Sequence, residues 1–345
     1  MRATIHTGDC REVLRSLEPE SVQCVVTSPP YWGLRDYGVA GQMGLEPSPK
    51  EYVAQMVDVF REIRRVLKPD GTVWLNLGDT YFGGGMGGNP AESPHRKQAT
   101  NAGSLVSPPA WKSIHGLKPK DLIGIPWRVA FGLQEDGWWL RSDIIWAKPN
   151  PMPESVTDRP SRSHEYIFLL TKSARYYYDV DAVRTEPAET SKVRWGQDID
   201  TQHGSDRAHG GAKNLKAVGG PRRTDKQRGH ERKHAGFNDR WDSMSREEQQ
   251  AMGANLRDVW TVATHPYSGA HFATFPPKLI EPCIKAGSRE GDLVLDPFTG
   301  AGTTGMVATR LDRQFVGVEM NPEYADMARQ RIINDAPLFM TGAVQ

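Results

Sequence analysis

The chain of 345 residues sets 43 Lys and Arg against 42 Asp and Glu, for a formal net charge of +1, and 38% of it is hydrophobic. That length accommodates one large α/β domain with insertions, or two domains. No apolar run approaches the roughly 20 residues that span a bilayer, so no transmembrane helix is expected. Met1-Arg2-Ala3-Thr4-Ile5-His6 has no apolar stretch behind its charge, and Cys10, Cys24 and Cys283 form no spaced framework. Neither a secretory signal nor a disulfide scaffold is expected, and a reduced, cytoplasmic setting follows.

In chain order, a strand over residues 3–6 leads through Gly8-Asp9 into a helix presenting Val13, Leu14 and Leu17. A second strand, over 22–26, stops at Thr27-Ser28-Pro29-Pro30-Tyr31, where two prolines end regular structure. From Glu51 a helix is expected, with Val53, Met56, Val57, Phe60, Ile63 and Leu67 at three- and four-residue spacing. Lys68-Pro69-Asp70-Gly71 ends it, and a third strand follows over 72–77. A helix over 125–134 precedes strands over 140–146 and 165–170. A helix–strand–helix–strand–helix series runs from 276 to 333. Strands alternating with helices indicate a mostly parallel sheet with helices on both faces. Two polar stretches interrupt it, at about 83–120 and 184–255, and both read as insertions.

Late in the chain, Leu293-Val294-Leu295 is followed by Asp296-Pro297-Phe298-Thr299-Gly300-Ala301-Gly302-Thr303-Thr304-Gly305. Gly300, Gly302 and Gly305 allow a tight strand–helix turn and close approach of a ligand, and Glu319 ends the next strand, placed to bind ribose hydroxyls. This geometry suits NAD and S-adenosylmethionine alike, and the glycines alone do not separate them.

The Ser28 segment leaves a strand at the edge where open α/β sheets bind ligands. Its prolines make it stiff, with the Ser28 hydroxyl and the Pro29 carbonyl as preorganised acceptors. Such a pair suits the exocyclic amine of a nucleobase, whose lone pair is delocalised into the ring. Accepting both N–H groups favours a tetrahedral nitrogen with its lone pair aimed outward. Tyr31 offers a ring for stacking on a flipped base, worth roughly 1–3 kcal/mol against the few kcal/mol that flipping costs. For this segment alone, a proline turn with a packed tyrosine is the alternative.

Together, Ser28-Pro29-Pro30-Tyr31 and the Asp296-Pro297-Phe298 loop make the chain resemble the amino-methyltransferases of DNA from restriction–modification and phage systems. The match is to the beta order, in which the catalytic loop precedes the cofactor loop, and it covers most of 1–183 and 256–333. The resemblance implies a Rossmann-like methyltransferase fold with a catalytic half over 1–183 (carrying a flexible insertion at about 83–120). An inserted target-recognition region then occupies 184–255, and the cofactor-binding half 256–345. It implies S-adenosyl-L-methionine as cofactor, held by Asp9, Phe275, Asp296, Phe298, Gly300, Gly302, Thr303 and Glu319, with Phe275 in the segment His271-Phe272-Ala273-Thr274-Phe275-Pro276. Ser28, Pro29, Pro30 and Tyr31 are then catalytic, and a base flipped from double-stranded DNA is the substrate. A cognate restriction endonuclease and a homodimer are further partners that the resemblance leaves open. Serine at position 28 is the more usual residue in N4-cytosine members and aspartate in N6-adenine members, so cytosine N4 is expected, with adenine N6 as the alternative.

Lys213, Lys216, Arg222, Arg223, Lys226, Arg228, Arg232 and Lys233 lie in the recognition region against only Asp225 and Glu231. In a DNA enzyme they are expected to contact phosphates, which supply most non-specific affinity. Pro282-Cys283 is reminiscent of a cytosine C5 nucleophile, but Leu279, Ile280, Cys283 and Ile284 share one apolar helix face, so Cys283 is expected in the core. His230 and His234 lack converging partner ligands, and no metal is expected. Trp138, Trp139 and Trp146 are expected to pack in the core or at a sheet edge, and the Gly83–Gly88 run is either a closing loop or a linker. An NAD-dependent oxidoreductase would leave the proline loop unexplained. A non-catalytic nucleic-acid-binding module would leave both motifs idle, and RNA is the less expected substrate.

Overall fold

The computed structural model describes residues 3–34, 38–39, 41–82, 116–186, 243–245, 248, 253–264 and 274–335. An eight-stranded sheet runs, edge to edge, β1 (Ala3–Thr7), β8 (Gln314–Glu319), β7 (Leu293–Asp296), β2 (Val22–Thr27), β3 (Leu67–Leu77), β5 (His164–Thr171), β4 (Trp139–Ala147) and β6 (Val259–Thr261). The first five are parallel to their neighbours, so their carboxyl ends share one edge. β5 runs antiparallel to both β3 and β4, and β6 lies parallel to β4. The antiparallel turn has a local cause. A parallel return needs a long crossover, usually helical, whereas the connection from β4 to β5 carries Pro149, Pro151, Pro153 and Pro160 and no helix.

β2 is buried at every position because both faces of the sheet are covered. Successive side chains alternate between the faces. On one side Val25, Val73, Leu75 and Leu77 form a core with Leu14 of α1 (Cys10–Ser16), with Tyr52, Phe60 and Ile63 of α2 (Pro49–Val66), and with Val129 and Leu133 of α3 (Ile125–Glu135). On the other, Cys24 lies against Cys283 of α4 (Pro277–Gly287), which packs on α5 (Thr303–Arg310), itself in contact with α6 (Pro322–Asp335).

α2 begins two residues before the periodicity signals it. Ser48 and Glu51 form a reciprocal capping box and Pro49 fills the first turn, where its missing N–H costs nothing. β3 begins at Leu67, not at Thr72. Leu67 pairs with Val22, and the register shifts before Cys24 meets Thr72, so Lys68-Pro69-Asp70-Gly71 is an irregular part of the strand and not a loop. Trp138 and Trp146 are buried, whereas Trp139 is 48% exposed.

The chain divides into two compact units, Met1–Ala182 with Arg257–Gln345, and Val183–Leu256. In the second, Thr185 and Ala254 exchange backbone hydrogen bonds of 2.9 and 3.0 Å. In the first, Tyr81 bridges Leu122, which brings together the two ends of the expected insertion. Lys213, Lys216, Arg222, Arg223, Lys226, Arg228, Arg232, Lys233, His230, His234 and the Gly83–Gly88 run lie outside the described residues, as do His271, Phe272 and Ala273.

Candidate active site

Because β2 and β7 are adjacent and parallel, the loops that follow them leave the sheet side by side. One hydrogen bond joins them directly: the Thr27 hydroxyl donates to Asp296 Oδ1 at 2.7 Å. The Phe298 amide donates to the same oxygen at 3.1 Å, and the Thr304 hydroxyl to Oδ2 at 2.6 Å. Asp296 is 1% exposed. Burial pushes its pKa up to about 6, although these three donors oppose the shift. The expected cofactor-side acid is thus turned inward, where it ties β2, the glycine loop and α5 together.

The glycine loop takes its shape from two left-handed residues, Gly300 at φ +51° and Gly302 at φ +77°. A Cβ on Gly302 would lie 2.9 Å from that of Ala328, so α6 packs directly against the turn. A Cβ on Gly300 would meet nothing nearer than the Phe298 carbonyl at 4.0 Å, which marks the open side of the loop. Glu319, at the end of β8, spans this open region. Its Oε2 accepts from the Gly300 amide at 2.8 Å and its Oε1 from the Asn321 amide at 2.9 Å. Burial raises its pKa. The Gly8 amide donates to the Glu319 carbonyl at 2.9 Å, which sets Asp9 beside it. Asp9 caps α1 and accepts from the Arg11 amide at 2.8 Å; the hydrogen bond from the Arg11 side chain holds its pKa below the usual value. A carboxylate has about four acceptor sites. The Arg11 amide and guanidinium occupy those of Asp9, which meets a ligand only by giving one of them up. Glu319, with one contact on each oxygen, retains capacity for hydroxyl donors. Phe298 and Phe275 are half-buried, and the buried Thr303 hydroxyl accepts from Arg331 at 2.9 Å. A buried acid with free acceptor sites, Glu319, beside an open glycine cradle at the ends of β8 and β7 fits the ribose of a nucleoside ligand.

On the neighbouring loop, Pro29 is buried and Ser28 half-buried. The Tyr52 hydroxyl of α2 donates to the Pro30 carbonyl at 2.9 Å and anchors the turn. Among the described residues the Pro29 carbonyl accepts no hydrogen bond. Tyr31 is half-buried, with its ring seated over Gly78, where a Cβ would fall 2.5 Å from Cε2. Its hydroxyl reaches Glu165 Oε2 at 2.8 Å and Asn76 Oδ1 at 3.0 Å, and Ser28 Oγ lies 3.2 Å from it. Burial, and then the charge of Glu165, push the Tyr31 pKa well above its ordinary value. Lys148 pairs with Glu165. Asp79, just beyond β3, accepts from the Gly124 and Ile125 amides at 2.9 and 3.0 Å and so fixes the start of α3.

The structure brings together Ser28, Pro29, Pro30 and Tyr31 on one loop, and Asp9, Phe298, Gly300, Gly302, Thr303 and Glu319 around the neighbouring one. Cys283 is fully buried, and burial drives its thiol pKa well above the ordinary value, so it offers no thiolate. Five participants escaped the sequence reading: Thr27, Thr304, Asn76, Lys148 and Glu165. Asn76, a polar residue between Leu75 and Leu77 in a buried strand, was the one visible signal.

The profile of a DNA methylase family, the N6 and N4 methyltransferases, matches residues 22–330. The chain is 47% identical over 330 residues to the Type II methyltransferase M.Cfr9I of Citrobacter freundii, covering 96% of this chain and 87% of that one. It is 45% identical over 329 residues to the Type II methyltransferase M.SmaI of Serratia marcescens, covering 95% and 90%. Among solved structures it resembles the PvuII DNA methyltransferase (cytosine-N4-specific), with a TM-score of 0.56 at 18% identity over 100% of this chain and 94% of that one. A putative DNA modification methylase of Thermus thermophilus, solved with S-adenosyl-L-methionine, gives a TM-score of 0.54 at 22% identity over 98% and 96%. With the two loops held side by side and this match along nearly its whole length, the chain belongs to the N6/N4 family of DNA methyltransferases.

Proposed function

We propose that the chain transfers the methyl group of S-adenosyl-L-methionine to the exocyclic amine of a base flipped out of duplex DNA, cytosine N4 being the target favoured by Ser28. The observation that carries this reading is the Thr27–Asp296 hydrogen bond, which locks the acceptor loop beside the glycine cradle. Asp9, Phe275, Phe298, Gly300, Gly302, Thr303 and Glu319 would hold the cofactor, with Asp296 fixing the loop from beneath. When bound, S-adenosyl-L-methionine supplies an electrophilic methyl group. Ser28 Oγ and the Pro29 carbonyl accept the two N–H groups of the amine and leave its lone pair free to attack, without a covalent enzyme intermediate. Pro30 stiffens the loop, and the ring of Tyr31 supports the base. Alignment of the reactants is worth roughly 7–11 kcal/mol, and the Lys213 to Lys233 cluster is assigned to phosphate contact. The relatives are Type II methyltransferases, which supports a cognate restriction endonuclease acting on the same DNA sequence.

The test is to incubate the chain with unmethylated DNA and S-adenosyl-L-methionine, digest the DNA, and identify modified nucleosides by mass spectrometry. N4-methylcytosine is expected. N6-methyladenine keeps the mechanism and overturns the base, and neither product on DNA of varied sequence overturns the reading.

A further inference from the structure

We propose that Glu165 is a positioning residue that commits Ser28 to accept from the substrate amine and then takes up the proton that methylation releases. The proposal rests on the reading of Ser28 as the amine's acceptor, and it begins from the direction of each hydrogen bond. A carboxylate and an amide oxygen only accept. The Tyr31 hydroxyl, 2.8 Å from Glu165 Oε2 and 3.0 Å from Asn76 Oδ1, therefore spends its single proton on that pair. Asn76 is oriented for this, because its Nδ2 donates to the Tyr166 carbonyl at 3.0 Å. Toward Ser28, the Tyr31 oxygen is left with lone pairs only. Ser28 Oγ, 3.2 Å away, must then be the donor. Its one proton is used, and what it presents to a substrate is a lone pair.

The distinction matters for the chemistry. A serine free to rotate would spend part of its time directing its O–H at the amine's lone pair, the electrons that must attack. Glu165, itself charge-paired with Lys148, removes that orientation by way of Tyr31. Tyr31 suits the relay because burial keeps its phenol protonated.

The same chain of oxygens offers the proton a route. As the amine lone pair forms the new N–C bond, the sulfonium C–S bond breaks with its electrons going to sulfur, and the nitrogen is left cationic with one N–H to lose. That proton passes to Ser28 Oγ, the Ser28 proton to Tyr31 Oη, and the Tyr31 proton to Glu165. Both hydroxyls and the methylated amine end neutral, Glu165 ends as a carboxylic acid, and it returns its proton to water before the next turnover.

The experiment is single-turnover methylation of duplex DNA across pH, with the wild type, Glu165→Gln and Tyr31→Phe, alongside titration of S-adenosyl-L-methionine into each. The wild-type rate is expected to fall on the acid side, where the relay can no longer take up the released proton. In both variants the rate drops on the order of 10²-fold, the acid limb disappears and cofactor affinity is unchanged. A flat wild-type acid profile, a Glu165→Gln rate within about threefold of wild type, or a slow variant that keeps the wild-type limb overturns the proposal. Should Glu165→Gln not fold, Tyr31→Phe decides, since it leaves the Lys148–Glu165 pair intact. A wild-type chain that methylates no DNA would overturn the functional reading itself, an outcome separate from all of these.

Discussion

At Asp296, burial and hydrogen bonding pull in opposite directions, and burial prevails: the pKa rises from 3.8 to about 6. A raised carboxyl pKa means that the folded protein binds a proton more readily than the unfolded chain between those values. The group's contribution to stability is therefore fullest below about pH 4 and is lost as the pH rises through 6. Acidification from pH 6 to 4 is expected to stabilise the wild type relative to Asp296→Asn, by at most about 3 kcal/mol. Urea unfolding of both proteins at the two pH values measures this, and a difference that stays constant shows that the carboxylate is not penalised. The glycines of the neighbouring turn make a paired prediction. Gly302→Ala meets both a left-handed backbone and the Ala328 contact, whereas Gly300→Ala meets only the first. Gly302→Ala should lose about 1–3 kcal/mol of stability and Gly300→Ala less. Gly300→Ala, whose methyl enters the open side of the loop, should instead weaken S-adenosyl-L-methionine binding. Equal stability losses in denaturant titrations would contradict this division of roles.

Among the elements, α2 is held at its start by Ser48, whose hydroxyl accepts from the Glu51 amide at 3.3 Å while Glu51 Oε2 accepts from the Ser48 amide at 3.1 Å. Ser48→Ala is expected to cost about 1 kcal/mol, seen as a lower urea midpoint at unchanged slope; no shift would mean that Pro49 and the buried face set the start by themselves. This helix was legible because its apolar spacing and its packing agree: Met56, Phe60 and Ile63 are all fully buried. Strand direction was not legible. Alternation tells which face a residue occupies and nothing about its neighbour, so the antiparallel β5 and the three-residue β6 emerged only with the pairing. The same limit explains the site. Ser28-Pro29-Pro30-Tyr31 and Asp296-Pro297-Phe298 were visible because each is contiguous and its backbone chemistry is local. Asn76 and Glu165 reach Tyr31 from β3 and β5 through sheet adjacency, which a linear reading does not supply. Asp296 reads in sequence as facing the ligand, because nothing there signals Thr27 and Thr304 beneath it.

For the whole molecule, the order β1-β8-β7-β2-β3 sets strands from the two ends of the chain next to each other. Asp9 follows β1, while Glu319 ends β8, and the Gly8 amide on the Glu319 carbonyl joins the two. A nucleoside ligand at this edge would cross-link the first and last parts of the sequence and stabilise the fold as a unit. S-adenosylhomocysteine, which has the shape of the spent cofactor, should therefore raise the unfolding temperature, with about 2.7 kcal/mol of stabilisation at 100-fold excess over Kd. Glu319→Ala should reduce that shift, since both its carboxylate oxygens order the cradle. NADH should leave the temperature unchanged, because the Gly300 and Gly302 amides, which a pyrophosphate would need, already donate to Glu319 and to the Thr299 carbonyl. Thermal unfolding with each compound separates the cases. Stabilisation by NADH and not by S-adenosylhomocysteine would show that the cradle is built for a dinucleotide and would remove the cofactor assignment.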